Sequence, residues 1–294
     1  GCANADSIVT QVNSTLASFT GLNSTYCTNS DPDTLTGSIA GSVSGVFTGP
    51  GIQGDVFYPA LAGIGTHAII YSLTDPSTGC VGVDTQYTVV YQTPNVSIQN
   101  LPANTCLNSN PLNIVTIPAS GGILSGQGVS GSQFDPALAG IGTHMISFSY
   151  TNFNGCSNTA THMITVNPIP SVDFYGLDTT YCVEDSAALL SGMPPGGVFS
   201  GSGVTGDWFY PGIAHTGTHI VTYLYVDSMG CSNDTSKLVV VYPNPHVDLG
   251  NDRTMCINHK ITLDAGPGAM SYLWSTGHTT QLLTVDSTIL GIGT

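Results

Sequence analysis

Basic side chains are almost absent. The 294 residues include 3 Lys plus Arg (Lys237, Arg253 and Lys260) against 18 Asp plus Glu, a formal net charge of −15. Nucleic-acid binding needs a basic face that neutralises phosphates, and three scattered cations do not make one. The same shortage excludes electrostatic docking on anionic membranes. Glutamate occurs once, at Glu184, and Gly, Ser, Thr, Val and Pro dominate, which argues against helical bundles. No apolar run approaches the ~18 residues of a spanning helix; the longest local candidate, 238–242, has the length of a short strand. There is no Gly-x-Ser-x-Gly elbow, no His-Glu-x-x-His and no P-loop. A single Glu, with the Asp residues mostly in turn contexts, also disfavours a carboxylate pair for glycoside cleavage, so no catalytic residue is assigned. The chain starts at Gly1 without an initiator Met or an apolar leader, and reads as processed or as a fragment.

What is present is a repeat. Apolar residues make up 41% of the chain, enough to bury a core despite the low charge. Gly-Cys pairs place cysteines at Cys2, Cys80, Cys156 and Cys231, and a second series falls at Cys27, Cys106, Cys182 and Cys256. Both series advance by about 76 residues, the signature of tandem modules. Between them QGDVFYPALAGIGTHAIIY (53–71), SGSQFDPALAGIGTHMISF (130–148) and TGDWFYPGIAHTGTHIVTY (205–223) align. The layout is the last strand of a preceding module (1–13), three full modules (14–93, 94–168 and 169–243) and a truncated module of another type (244–294). A lipidated Gly1-Cys2 is rejected because the same pair recurs internally.

Each module reads as β. His144, Ile146, Phe148 and Tyr150 alternate with Met145, Ser147 and Ser149, the period of a half-buried strand. Asn154-Gly155 then supplies a hairpin turn, and Pro94, Pro168 and Pro243 mark the junctions. About seven short strands per module predict an all-β array of small Ig-like Greek-key sandwiches. Modules this small gain from a cross-link. Pairing inside each module gives Cys27–Cys80, Cys106–Cys156 and Cys182–Cys231, leaving Cys2 and Cys256 without partners in the chain. A competing scheme gives Cys2–Cys27, Cys80–Cys106, Cys156–Cys182 and Cys231–Cys256. The first is preferred, and either one implies an oxidising compartment.

Tyr-Cys, Gly-Gly-x-Phe-Ser-Gly, Phe-x-Pro, Ala-Gly-x-Gly-Thr-His and Gly-Cys together resemble the Ig-like repeats of large Bacteroidota surface proteins. The segments VDLGNDRTMC and SYLWSTG of 244–294 are similar to the PKD-like repeats of the same proteins. The resemblance covers essentially the whole chain. It implies a cell-surface adhesin of the kind exported by type IX secretion, gliding adhesins included. It also implies O-glycans at Asp-Ser/Thr motifs, with candidate acceptors Ser7, Thr34, Thr179, Ser186, Ser228 and Ser287. The bland alternative is that these are ordinary turn residues.

Other candidates have mainly structural readings. His67, His144 and His219 recur once per module, which suits a packing or hydrogen-bonding role; His215 and His219 lie too far apart along a strand to share a metal. Asp31, Asp33, Asp248, Asn251 and Asp252 permit weak Ca²⁺ binding without a designed cage, so no cofactor is expected. Phe57, Phe134 and Phe209 read as core. Tyr58, Trp208 and Tyr210 form a candidate sugar platform, with Trp274 a further aromatic candidate. Because Asp135 replaces the tyrosine in the middle module, that position is expected to be exposed. Expected partners are neighbouring modules, copies of the same protein and surface glycans, with no nucleic acid and no membrane insertion. The sequence reads as the stalk or filament of a bacterial surface adhesin. The alternatives are a self-assembling filament subunit completed by strand addition and an array of carbohydrate-binding modules.

Overall fold

The computed structural model describes residues 15–40, 43–256, 259–269 and 271–286. The proposed strand 1–13, Cys2, Ser7 and Ser287 lie outside them. The chain divides into two compact units, 1–168 and 169–294.

Each full module is an all-β Ig-like sandwich built on one long hairpin. In module 2 the strands Gly142–Thr151 and Ser157–Asn167 pair antiparallel from Gly142↔Val166 to Thr151↔Ser157. Ile123–Ser125 adds antiparallel to one edge. Asn104–Cys106 adds parallel to the other, beside the end of the last strand. The strands Leu112–Asn113, Gln133–Phe134 and Val129–Ser130 form a small sheet, and Ser97–Gln99 pairs with Val115–Ile117. Module 1 repeats this four-stranded sheet with Gly65–Thr74 and Val81–Tyr91, module 3 with Gly217–Val226 and Ser232–Tyr242. Residues 260–286 contribute one hairpin, Lys260–Asp264 with Leu282–Asp286, which buries Leu283 and Val285.

Nine strand segments occur in module 2 where about seven are expected, because several are pairings of only two residues. The sequence reading also missed one helical turn per module, Pro59–Ala62, Pro136–Ala139 and Pro211–Ala214. Proline at the first helical position has its φ already set and no N–H to leave unpaired. The residue before it is the N-cap. Asp135 fills that role with its carboxylate, accepting from the N–H groups of Ala137 and Leu138. Tyr58 and Tyr210 make no such bond. All three are half-buried rather than exposed, which corrects the expectation for this position.

Alternation along the strands sends one face inward, and the cores of modules 1 and 3 are aromatic. Phe19, Phe47 and Tyr71 pack with Phe47–Tyr71 ring centroids 4.6 Å apart; Phe174, Phe199 and Tyr223 match them at 4.5 Å for Phe199–Tyr223. Phe57, Phe134 and Phe209 are fully buried, as expected of core residues. Glycine makes room for the tyrosines: a Cβ on Gly192 would lie 2.0 Å from the Tyr223 ring. The hydroxyl then clamps the single turn 194–197, accepting from Gly197 N–H at 2.7 Å and donating to Pro194 O at 2.5 Å. Module 2 has Phe148 at this place and smaller Ile98 and Leu124 nearby, and a cleft of about 370 Å³ opens beside Phe148.

Removing the Tyr223 hydroxyl leaves the Gly197 N–H and Pro194 carbonyl without their shared partner. Tyr223→Phe is expected to destabilise module 3 by about 1–2 kcal/mol, read by thermal or denaturant unfolding. An unchanged midpoint would show that water replaces the hydroxyl without loss.

A covalent staple between modules as the candidate functional site

Cys27 is bonded to Cys156, across the junction between modules 1 and 2, with a Cα–Cα distance of 5.6 Å. This overturns both sequence-based schemes. Cys80, Cys182 and Cys256 are free thiols, whereas Cys106 and Cys231 are disulfide-bonded. Strand register explains why Cys27–Cys80 does not form. Cys27 lies beside Tyr91, at the end of the last strand. Cys80 immediately precedes Val81, where that strand begins. Eleven residues at ~3.3 Å each put the two sulfurs at opposite ends of the sheet, roughly 35 Å apart, and a disulfide needs Cα atoms within about 7 Å. The same register separates Cys106 from Cys156 and Cys182 from Cys231, because Cys106 pairs with Asn167 and Cys182 with Tyr242.

The Gly-Cys motif is a presentation device. Asn152 N–H donates to Cys156 O, closing the hairpin at 2.9 Å. The Asn152 side-chain oxygen accepts from the N–H groups of Asn154 and Cys156. Gly155 completes the turn at φ 82°, a conformation that L side chains resist. Asp227 holds Cys231 in the same way, accepting from Met229 and Cys231 N–H groups. In module 2 the turn thus offers Cys156 to the end of module 1.

Amides complete the 1–2 junction. Asn152 donates to Gln92 O at 3.1 Å, Asn158 to Pro94 O at 3.0 Å and Asn29 to Ser157 O at 3.1 Å. The connector is tied down by Thr93, which accepts from Thr28 and donates to Asn29. Cys156 is fully buried. Asn233 recurs in the role of Asn158, donating to Pro170 O at 2.9 Å. These asparagines were not singled out from the sequence. Their signal was available in Cys-Ser-Asn, which occurs at 156–158 and 231–233.

The recurrent histidines are structural. His67, His144 and His219 each contact through Nε2 a carbonyl four residues back, on Gly63, Gly140 and His215, at 2.8 Å. Because a carbonyl only accepts, Nε2 carries the proton. Each bond clamps the end of the helical turn. His215 has φ 64° and ψ 175° where the other modules place glycine, a strained region for any residue with a Cβ.

Lys237 is another residue the sequence did not single out. Its ammonium contacts Asp173 at 3.0 Å, reaches Phe174 O and lies 4.6 Å from the Phe174 ring centroid. In module 1 the equivalent Gln86 donates to Phe19 O at 2.7 Å. A long side chain from the last strand thus satisfies the first strand's free carbonyl. The Lys237 hydrogen bond, helped by the Phe174 N–H, holds the Asp173 carboxyl below its ordinary range. Tyr26 is pushed up to about 12 by burial, its hydroxyl donating to Asp33 at 2.7 Å.

The remaining candidates are dispersed. Thr34, Thr179, Ser186 and Ser228 are all exposed. Trp208 is 42% exposed and alternation puts Tyr210 on its side of the chain, opposite buried Phe209. Tyr58 belongs to module 1, where its neighbour Val56 takes the place of Trp208. Trp274 donates through its indole N–H to Thr280 O. Asp33 is engaged by Tyr26 and Asn23, and Asp248 accepts from Gly250 N–H. Among the described residues, no group of three His, Cys, Asp or Glu is placed to hold a metal ion, and no helix is long and apolar enough to cross a membrane.

No protein-family model matches the chain, and no curated protein matches it. Solved structures similar to it include a Ca²⁺-stabilised adhesin with which an Antarctic bacterium binds ice, at 10% identity and TM-score 0.29, covering 95% of this chain and 90% of that one. Mouse protocadherin-24 EC1–3 covers 76% of this chain and 98% of its own, at 9% identity and TM-score 0.22. Immunoglobulin domains 1–4 of Sidekick-1 cover 78% and 72%, at 10% identity and TM-score 0.24.

Two substitutions test the local accounts. Asp173→Asn is expected to lower the melting temperature at about pH 7 and to match the parent near pH 2. A carboxyl depressed by folding contributes stability above its unfolded pKa and loses it as pH falls through the folded value. A pH-independent difference would contradict the ion-pair account. His215→Gly is expected to stabilise module 3 by about 1 kcal/mol by relieving the strained backbone; a lower melting temperature would contradict it.

Proposed function

We propose that the protein is an extracellular adhesive repeat protein whose modules form a tension-bearing stalk. The observation that carries this reading is the Cys27–Cys156 bond, which joins consecutive modules covalently outside the connector. Tension entering before Cys27 and leaving after Cys156 runs through the two sulfurs. The chain 28–105, which includes the whole 1–2 connector and most of module 1, lies outside that path. A weak noncovalent joint thereby gains a covalent bypass. Disulfides on this scale belong to an oxidising compartment. Placement on a Bacteroidota cell surface, export by type IX secretion, a gliding role and glycans on Thr34, Thr179, Ser186 and Ser228 rest on the sequence resemblance, and the exposure of those four hydroxyls is compatible with modification.

Single-molecule pulling tests the bypass. With the disulfide intact, unfolding modules 1 and 2 should release little chain from 28–155. After reduction, the same molecule should lengthen by an additional amount on the order of 400 Å, from ~3.5 Å per extended residue less the folded span. Equal lengthening in both would overturn the proposal.

A second reading, glycan recognition, is favoured by the neighbouring Trp208 and Tyr210 on one side of module 3. Stacking on sugar rings would then be lost in Trp208→Ala with folding unchanged. Failure of the parent protein to bind any glycan on an array would refute it.

A further inference from the structure

The junction cysteines come in two kinds with fixed addresses. The Cys27 kind lies at the end of a sheet. Cys27, Cys106 and Cys182 pair in parallel with Tyr91, Asn167 and Tyr242. Each donates its N–H to a side chain three residues on, Ser30, Ser109 or Asp185. In each case the next N–H bonds the last-strand carbonyl, at 2.9–3.0 Å. The Cys80 kind lies at the opposite end, in a hairpin closed at 2.9 Å by Asp75, Asn152 or Asp227. Where the first two modules meet, the two kinds are bonded as Cys27–Cys156. Among the described residues three cysteines remain free: Cys80, of the hairpin kind, and Cys182, of the sheet-end kind, both partly exposed, and Cys256, which is exposed and is not paired at the end of a four-stranded sheet.

Cys80 and Cys182 are complementary halves of the staple already formed by Cys27 and Cys156, on modules 1 and 3 of one chain. We propose that Cys182 of one copy bonds Cys80 of a second copy, joining two chains by the same kind of cross-link that joins modules 1 and 2. The contact is heterologous: each copy uses one surface as donor and another as acceptor. Repeated without closure, it produces a filament. The Cys80 tip has Asp75 for Asn152 and Gly82 for Asn158, so it lacks both asparagine donors, and the disulfide is the principal bond of the joint. Asp75 closes the Cys80 turn through its N–H as Asp227 closes that of disulfide-bonded Cys231, while its carboxylate accepts from Ser77 and the Cys80 N–H donates to Thr78 Oγ1.

The chemistry needs an oxidant, supplied as a small-molecule disulfide such as oxidised glutathione. The Cys182 thiolate attacks it, forming a mixed disulfide and releasing one glutathione thiolate. The Cys80 thiolate of the second copy then attacks the Cys182 sulfur and displaces the second glutathione. Two protein thiols are oxidised and one glutathione disulfide is reduced to two glutathione thiols, which take up the two protons that the protein thiols lose.

This inference rests on the stalk reading but can fail separately, because its test leaves Cys27–Cys156 intact. The full chain is incubated with oxidised glutathione and resolved without reductant. The expected result is a ladder at multiples of 30.3 kDa that collapses on reduction. Mass mapping should find the Cys80 peptide linked to the Cys182 peptide. Cys80→Ser and Cys182→Ser each remove that linkage, whereas a mixture of the two variants restores it as dimer only, since each supplies one half. A parent that stays monomeric, a mixture without that dimer, or links containing Cys256 or two copies of Cys182 would overturn the proposal. So would native material in which Cys182 is joined to a peptide from outside this chain.

Discussion

The structure depends on the antiparallel register of one long hairpin. Gly65–Thr74 and Val81–Tyr91 face each other along their whole length, so the hairpin turn and the strand end are held at opposite ends of the sheet. Everything attached to them inherits that separation. The cysteine before Val81 faces backward along the chain, and the cysteine beside Tyr91 faces forward. A cross-link that the separation forbids within a module becomes available between one module and the next. Chain entropy alone would favour closing any loop; geometry decides which loop can close.

The same register arranges the polar chemistry of the junction. Asn152 and Asn158 flank the hairpin tip and donate to carbonyls of the connector, while Thr93 binds that connector to Thr28 and Asn29. A connector with its carbonyls and hydroxyls engaged has few conformations left, and the disulfide holds the rest of the joint. Inside the sandwiches, Tyr71 and Tyr223 perform a related task, fixing the loops above a slot that only glycine leaves open. Module 2, with Phe148 there, keeps the fold through Ile146, Ile164 and Val166 and opens a cleft instead.

Much of this was legible in the sequence. Period-two alternation marked the long hairpin, and the recurrence of His67, His144 and His219 argued for structure over chemistry, which their backbone contacts explain. The helical turn at Pro136–Ala139 was missed because four residues carry no periodicity, and only Asp135 before Pro136 gave a cap signal. The disulfide partners were missed for a different reason. Cysteine spacing reports the period of the repeat but not the end of the sheet on which each sulfur sits. That requires knowing that the second strand runs parallel to the last, as Asn104–Cys106 does beside Ser157–Asn167. A parallel pair joins segments roughly 60 residues apart and leaves no local signature. Lys237 stood out only as a rare cation until its neighbours Asp173 and Phe174 were in place.

The account turns on which sulfur Cys27 holds. Proteolysis of the unreduced protein, with free thiols blocked first, followed by mass spectrometry, reads this directly. The account predicts a linked peptide pair containing Cys27 and Cys156, with Cys80 recovered either blocked or joined to Cys182. A Cys27–Cys80 pair would contradict it, since that bond cannot form while the hairpin keeps its register.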